Sequence, residues 1–424
     1  MDLFSGVKKI FYYTIVVLFI LTGFSSCYEE YIIYPKPGEN VFNFLMTTEQ
    51  EELVLTSRGQ KHLITDPNPI LFFGNKEYSV DRFQLRGASS LNFQRKSYSV
   101  NLDKDLTFFI EEENRERDIE KFKLISMVFD YTYIEEGIAQ EVMKKLDLWP
   151  LYSFYTEVKL NDNTQGMYLF IEDPEDYYLY ERNSPVIMRR DYHNYIIKYE
   201  LNKILPTDPI EYYTNRFNHI YDLIVDFSGS ELYDSLVYYI DFEEYCKKIA
   251  VDMLLQNGDY TDEVYFYPKE KNGRIVLGVV PWDYDDLFKE LPHEIGRTWG
   301  TGTKFGTRQY NSMDDVYADV GHKLLFSIED DLDYKIAVDS VLYKIYLQEL
   351  KKVIETIDNN AINGLFDKVR DKVRPFYDHP EIIEQSKYDQ QATTNELFQL
   401  NLIEKEQFLL ERRALIQNEL INLN

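Results

Sequence analysis

Short runs in which apolar and polar residues alternate fill residues 41 to about 172. A period of two is typical of β-strands with one buried face. Turn-forming sequences break the runs at residues 66–69 and 74–75, where Pro, Gly and Asn favour turns. The last two runs, 156–160 and 166–171, flank a five-residue polar loop and predict a hairpin.

One helix is predicted among these strands, near residues 134–146, because Ile138, Val142 and Leu146 repeat at the spacing of one helical face. From about residue 174 onward, the pattern predicts helices at 242–256, 333–357, 363–373 and 395–422. Gly258, just past the first of these, is expected to take the left-handed conformation that ends helices. The pattern therefore predicts an α+β fold, β-rich over 41–173 and mainly helical over 174–424.

Two β-favouring runs interrupt the helical half at residues 264–267 and 275–280. Asn272-Gly273 lies between them, and an Asn-Gly pair at such a junction is a strong hairpin signal. Because a hairpin brings its two ends together, Asp259 in Asn-Gly-Asp and Asp283 in Pro-Trp-Asp-Tyr-Asp are expected side by side.

Paired acids of this kind suit phosphoryl transfer, in which one accepts the proton of the attacking hydroxyl and another holds Mg²⁺. An acidic, solvated turn after a strand would explain the same residues, so the spacing alone leaves both interpretations open.

A second segment supports the phosphoryl-transfer interpretation. Residues 83–102 predict a strand, a small-residue turn with Arg86, Ser89 and Ser90, and a second strand entered by Arg95 and Lys96. Small residues let backbone N–H groups approach a phosphate, and basic side chains supply the counter-charge.

Taken in order, these motifs resemble the CotH kinase family of atypical protein kinases. The resemblance covers about residues 75–420. The family's motifs correspond to Arg-Gly-Ala-Ser-Ser at 86–90, Arg-Lys-Ser-Tyr at 95–98, Gly-x-Tyr-x-x-x-Glu at 166–172, Asn-Gly-Asp at 257–259 and Pro-Trp-Asp-Tyr-Asp at 281–285. The closing helix, with Arg412 and Arg413, also resembles the family.

The resemblance implies an atypical, two-lobed kinase-like fold that binds ATP with Mg²⁺ or Mn²⁺. It implies Asp259 as the catalytic residue. It also implies a metal-binding set and a nucleotide-binding set: Asp283, Asp285 and Glu263 for the metal, and Arg86, Ser89, Ser90, Arg95, Lys96 and Glu172 for the nucleotide.

The sequence departs from the family pattern in three places. Ala88 stands where Asn is usual, and Arg95 replaces the first Lys of a Lys-Lys pair. Glu263 and Val264 occupy the positions where the family places a second metal-binding Asn. Glu263 is still an oxygen donor that suits Mg²⁺, but it adds negative charge beside a nucleotide.

Length, hydrophobic content and net charge limit the classes of partner that are expected. The chain has 424 residues, 44% of them hydrophobic, and a net charge of −27. The length and hydrophobic content are typical of a globular protein with a large core. Nucleic acid is not expected as a partner, because phosphate-backbone binding requires a basic surface.

The N-terminus predicts export. Two lysines precede an apolar run of about 15 residues, which is short for a membrane span and typical of a secretory signal. The sequence before Cys27 resembles a bacterial lipobox, so residues 1–26 are interpreted as a lipoprotein signal peptide, Cys27 as the lipid-attachment site and residues 27–40 as a tether. The acidic pair after Cys27 resembles the surface-export signal of Bacteroidetes lipoproteins. An uncleaved membrane anchor is the alternative.

Other chemistry has little support in the sequence. Cys246 has no expected disulfide partner and is interpreted as a buried helical thiol. The six histidines form no metal-ligand spacing, and no zinc-hydrolase or serine-hydrolase motif occurs. The Gly- and Thr-rich residues 290–314 are expected to form a mobile segment beside the site.

Two functions therefore remain open. The first is an exported kinase that phosphorylates protein hydroxyls. The second is a binding module on the same fold, a surface lipoprotein or adhesin that docks proteins or glycans without catalysis, which Ala88 and Glu263 favour.

Overall fold

The computed structural model describes residues 41–111, 113–130, 132–190, 195–206, 208–259, 264–293, 295–296, 298–299, 304–386 and 394–423. The predicted signal peptide, the tether and Cys27 lie outside these residues, as does Glu263. The boundaries predicted for the signal peptide, the tether and the two halves remain predictions.

Eight strands and two helices build the first half of the described chain. The strands are β1 (Phe42–Leu45), β2 (Leu63–Ile64), β3 (Ile70–Phe73), β4 (Lys76–Arg86), β5 (Ser97–Ile110), β6 (Arg115–Ile125), β7 (Ser153–Leu160) and β8 (Asn163–Glu172). The helices are α1 (Thr48–Thr56) and α2 (Glu135–Lys145), and a 3-10 turn, Ser89–Asn92, joins β4 to β5.

These strands pair in the order β2-β4-β3-β1-β7-β8-β6-β5, and β5 also pairs with β4. The extra pairing closes seven of the strands into a ring, while β2 pairs with β4 alone. Inside the ring, aromatic side chains pack closely; Phe154 and Phe170, for example, have ring centroids 4.6 Å apart.

A second, four-stranded sheet lies within the half predicted to be mainly helical. It has the order β10-β9-β11-β12, with β9 at Val186–Arg190, β10 at Ile196–Leu201, β11 at Val264–Lys271 and β12 at Arg274–Pro281. The predicted hairpin is confirmed, since Lys271 pairs with Arg274. Asn272 and Gly273 take φ of 53° and 73°, as an inverted two-residue turn requires.

The remaining elements are mostly helices. A short helical turn, Pro174–Asp176, continues as the π-helical turn Tyr177–Glu181, and β13 (Thr298–Trp299) pairs with β14 (Arg308–Gln309). The helices are α3 (Ile210–Asp226), α4 (Gly229–Leu236), α5 (Phe242–Leu255), α6 (Met313–Val320), α7 (Asp331–Val338), α8 (Ser340–Thr356), α9 (Asn359–Tyr377), α10 (Pro380–Ser386) and α11 (Asn395–Asn422).

Two hydrophobic cores result. One fills the closed sheet and draws only on residues 42–170. The larger one joins the helices to the second sheet and includes the apolar face of α2, with Ile138 and Val142 fully buried. The helix predicted near residues 134–146 is therefore confirmed, and it packs against the helical half although it lies between strands of the first.

Several predicted boundaries were wrong. The hairpin loop between β7 and β8 is only two residues, Asn161-Asp162, both with positive φ. The helix α1 was missed, and so were β9 and β10. The helix predicted over 333–357 is two helices, because the side chain of Asp339 accepts from the N–H groups of Val341 and Leu342 and starts α8. The helix predicted over 363–373 extends over Asn359–Tyr377.

In the described part of the chain, none of the helices is both long and apolar enough to cross a membrane.

Candidate active site

The open end of the β11–β12 hairpin carries the acidic motifs. Val264 pairs with Pro281 there, so the chain leaves β12 directly into Trp282 and Asp283. The helix α5 supplies the other motif: it ends at Leu255, and Gln256 takes the left-handed conformation with φ of 49°. The prediction that Gly258 would be the left-handed residue was wrong.

Gly258 is required for a different reason, close packing. A Cβ atom at this position would lie 2.5 Å from a carboxylate oxygen of Asp286. The Gly258 N–H donates to the Asp286 carbonyl at 2.9 Å. Further backbone hydrogen bonds run from Phe288 to Leu255 at 3.0 Å and from Lys289 to Gln256 at 3.1 Å. The two acidic segments are therefore held side by side by their main chains.

Asp283 and Asp285 form an electrostatically strained group with Asp259. Burial raises the pKa of Asp283, Arg86 and Arg189 oppose this increase, and Asp259 adds to it. Burial and then repulsion from Asp283 hold the pKa of Asp285 well above its ordinary value. Because the charge of Asp259 contributes to the raised pKa of Asp283, the two carboxylates lie near each other, at the open end of the hairpin.

The helix α2 adds a fourth carboxylate, which the sequence analysis missed. Glu136 accepts a hydrogen bond from the N–H of Tyr284 at 2.9 Å. Burial raises its pKa to about 8, and Asp283 contributes to the increase. The neighbouring Glu135 accepts from the N–H of Leu287 at 3.2 Å. Two successive glutamates of α2 therefore hold the main chain of residues 283–287, which we call the acidic loop.

His293 also reaches this site, although its sequence context gave no sign of it. Its Nε2 lies 2.8 Å from Asp286 and its Nδ1 lies 3.5 Å from Asp259. Hydrogen bonds to Asp259 and then Asp286 raise the pKa of His293 to about 10. The imidazolium therefore neutralises part of the acidic group at neutral pH.

The His293 pair predicts a pH dependence of stability. A pKa raised in the folded state stabilises fully below the unfolded value near 6.5 and loses this effect as pH rises through about 10. The melting temperature of wild type is therefore expected to approach that of His293→Gln between pH 6.5 and 10. The shift should be small, because the side chain is 38% exposed and solvent weakens such pairs. A constant difference across this range, measured by thermal melts, would contradict the pairing.

Three basic side chains lie near Trp282 or Asp283, at the start of the acidic loop. The guanidinium of Arg86 lies 5.7 Å from the Trp282 ring centroid, and the ammonium of Lys123 lies 5.3 Å from it. Lys123, on β6, also pairs with Asp173 at 2.7 Å. Arg189, at the end of β9, lowers the pKa of Asp283. The sequence analysis identified Arg86 but missed Lys123 and Arg189.

The small-residue turn follows Arg86 as predicted. Gly87 has φ of 111°, and a Cβ atom there would overlap the hydroxyl of Ser90 at 2.0 Å. Ser89 is exposed and Ser90 half-buried, so both lie on the surface beside Arg86.

The other basic residues of this segment point inward. The ammonium of Lys96 is fully buried and donates to the carbonyls of Leu91, at 2.7 Å, and Phe93. Arg95 is also buried; it donates to the carbonyl of Gln165 at 3.0 Å and to that of Met167. In this structure both side chains fasten the turn and β8, and their roles toward a nucleotide remain predictions.

Glu172 is likewise engaged within the protein. It pairs with Arg117 at 2.6 Å and accepts from the N–H of Tyr152 at 3.1 Å. Burial raises the pKa of Glu172 to about 7, while Arg117 opposes the increase. Its partner is therefore β6, and its predicted role toward a nucleotide also stays untested.

Comparison with known protein families decides the assignment. A family model described as CotH kinase protein matches residues 83–414. The chain belongs to this family. The resemblance found in the motifs is therefore confirmed. No curated protein matches the chain.

Membership of the CotH kinase family implies ATP and a divalent cation. Oxygen donors suit Mg²⁺, and the buried carboxylates of Asp283 and Asp285 fit such an ion because a cation would relieve the repulsion from Asp283 that raises the pKa of Asp285. Among the described residues, no three such side chains are already arranged around one point. Glu263, the third predicted donor, lies outside them.

The missed residues of this CotH kinase site are distant in sequence from its motifs. Glu136 lies 148 positions before Tyr284, and Lys123 precedes Trp282 by a similar distance. Sequence spacing carries no information on such contacts. A weak signal existed only for Glu135 and Glu136, whose position at the start of a predicted helix favours acidic residues.

Proposed function

We propose that this protein is an atypical kinase of the CotH type, which transfers the γ-phosphoryl group of ATP to a hydroxyl of a protein substrate. The observation that carries the proposal is the joint placement of Asp259 with Asp283 and Asp285, three crowded carboxylates facing Arg86 and Arg189.

Asp259 is the residue proposed to orient the attacking hydroxyl and accept its proton. Its side chain is 41% exposed, so an acceptor from solvent can reach it. His293 lies 3.5 Å from the same carboxylate and holds it beside Asp286.

Asp283 and Asp285, with Glu263, are the proposed ligands of Mg²⁺ or Mn²⁺. When bound, the cation would neutralise charge on the phosphates of ATP. Asp283 has φ of 56° and directly follows Trp282 at the end of β12. Glu136 fixes the adjacent main chain at Tyr284.

Arg86, Ser89 and Ser90 are the proposed phosphate contacts, since the charge of Arg86 acts on Asp283 and the two serines lie on the accessible turn that follows Arg86. Arg189, which also acts on Asp283, is added to this set. Arg95, Lys96 and Glu172, also implied by the family, are proposed to support the turn and the sheet, because each is engaged with buried protein partners.

A two-lobed, kinase-like division of the fold is also proposed. Two separate cores support it, one inside the closed sheet and one around the helices. The acidic loop then contacts Glu136 of α2 on one side and the end of α5 on the other.

Binding of nucleotide tests the proposal. The melting temperature of wild type is expected to rise with millimolar Mg-ATP, because a ligand that binds only the folded state stabilises it. Mg-ADP and Mg²⁺ alone serve as controls. No shift with Mg-ATP, and none with Mn-ATP, would favour the second function.

Export to the cell envelope is proposed on sequence grounds. The basic start, the apolar run and the lipobox-like sequence support cleavage before Cys27, lipid attachment at Cys27 and placement on the outer-membrane surface. Mass spectrometry of the mature protein tests this: an intact N-terminus at Met1 would contradict it.

A binding module without catalysis is the second candidate function. The burial of Lys96 and Arg95 against main-chain carbonyls favours it, because two residues that the family pattern assigns to ATP are engaged elsewhere. Such a protein would dock proteins or glycans at the cell surface, with no response to Mg-ATP.

A further inference from the structure

A buried carboxylate, Asp252, lies behind the acidic site and contacts both of its motifs. It is on the last turns of α5 and only 1% exposed. One oxygen accepts a hydrogen bond from the hydroxyl of Tyr284 at 2.8 Å. The other lies 2.8 Å from the ammonium of Lys248, which is buried as well.

Asp252 also reaches the Asn-Gly-Asp segment. Its carbonyl accepts from the N–H of Asn257 at 3.3 Å. This main-chain hydrogen bond joins the end of α5 directly to the first residue of the segment. Asn257 is fully buried, so it points inward while Asp259, two residues later, points to the surface.

Tyr284 is consequently fixed at both ends. Its N–H donates to Glu136 and its hydroxyl donates to Asp252, while the side chain is fully buried. Since Tyr284 stands between Asp283 and Asp285, this anchoring determines where both flanking carboxylates emerge.

We propose that Asp252 is the positioning residue of the site. Its carboxylate holds the Asp283–Asp285 loop through the hydroxyl of Tyr284, and its carbonyl holds the Asn257–Asp259 segment through the N–H of Asn257; these two contacts form a clamp between the two acidic motifs. This inference rests on the proposed function for its effect on metal and ATP, but its structural part stands independently. Lys248, 2.8 Å from Asp252, supplies the counter-charge that a buried carboxylate requires.

The test uses Tyr284→Phe, which removes only the hydroxyl. Hydrogen exchange is expected to rise at residues 257–259 and 283–289 and to stay unchanged elsewhere. The half-saturating Mn²⁺ concentration, measured with ATP present, is expected to rise by about tenfold, the scale of residues that support metal ligands. Asp252→Asn should raise it as well, and the double variant by less than the product of the two effects.

Tyr221→Phe is the matched control. Tyr221 is also buried, and its hydroxyl donates to the carboxylate of Asp330 at 3.1 Å, but it does not contact the acidic loop. It is expected to lower the melting temperature without changing Mn²⁺ dependence.

The outcomes separate the two ideas. Unchanged exchange at 257–259 and 283–289 in Tyr284→Phe overturns the clamp, whether or not the protein binds metal. Local exchange that rises with unchanged Mn²⁺ dependence overturns the positioning role. If wild type binds no Mn-ATP, the proposed kinase function fails, and hydrogen exchange still decides on the clamp.

Discussion

Replacement of Asp283 with asparagine is expected to abolish Mg-ATP binding while the fold is kept. Asparagine has nearly the same size and tolerates positive φ, which Asp283 adopts at 56°. A charge pair about 4 Å apart at an effective dielectric of about 20 is worth roughly 4 kcal/mol. Half of that would already lower affinity about thirtyfold. Titration of Mn-ATP by calorimetry measures the loss.

The stability of this variant should move in the opposite direction. Because the pKa of Asp283 is raised in the folded state, its ionised form destabilises the protein as pH rises above the ordinary value. Asp283→Asn is therefore expected to melt at a higher temperature than wild type at pH 8. Asp314→Asn, in the first turn of α6, is the control at an exposed position. Unchanged Mn-ATP affinity in Asp283→Asn would remove this residue from the metal site.

Loss of Arg190 is expected to have the largest effect on stability. Its guanidinium has an exposure of 0% and lies 3.4 Å from Asp330. It also donates to the hydroxyl of Tyr245 at 2.9 Å. Removing one partner of a buried pair costs about 3–5 kcal/mol, because the other charge stays buried. Arg190→Met should therefore lower the urea midpoint strongly.

The same variant predicts a pH dependence. Burial, with Asp330 adding to it, raises the pKa of Asp333 to about 7, and Arg190 opposes the increase. Without Arg190 this pKa rises further, so the loss of stability should be smaller at pH 5 than at pH 8.

Arg115→Met is the matched surface control. Arg115 pairs with Glu113 at 2.6 Å, but its side chain is 46% exposed, so the change should cost no more than about 1 kcal/mol. Equal urea midpoints for Arg190→Met and Arg115→Met would contradict the role given to the buried pair.

Sequence patterns predicted the parts of this fold that local chemistry determines. Local sequence was enough to predict the Asn272-Gly273 turn, the α11 helix at Asn395–Asn422 and the family motifs, because turn residues and helical periodicity act over short distances. The end of α5 shows the limit of such rules. The rule that glycine ends helices predicts Gly258 as the left-handed residue. Gln256 takes the left-handed conformation instead, and Gly258 is needed because its backbone packs closely against Asp286.

The site itself was only half predictable. Asp259 and Asp283 could be placed together through one hairpin. Glu136, Lys123 and His293 join them through tertiary packing, for which the sequence holds no spacing rule. Burial also changes the interpretation of Lys96, since a lysine enclosed by main-chain carbonyls cannot be distinguished from an exposed one by its neighbours in sequence.

The proposed kinase activity is tested most directly by measuring phosphate transfer from ATP. Wild type and Asp259→Asn would be incubated with γ-labelled ATP and Mn²⁺, alone and with casein as an acceptor, and label on protein and release of ADP would be followed. We expect labelled protein and ADP with wild type, and neither with Asp259→Asn, which should still bind Mn-ATP. Absence of label and ADP with wild type, or equal turnover by Asp259→Asn, would contradict it.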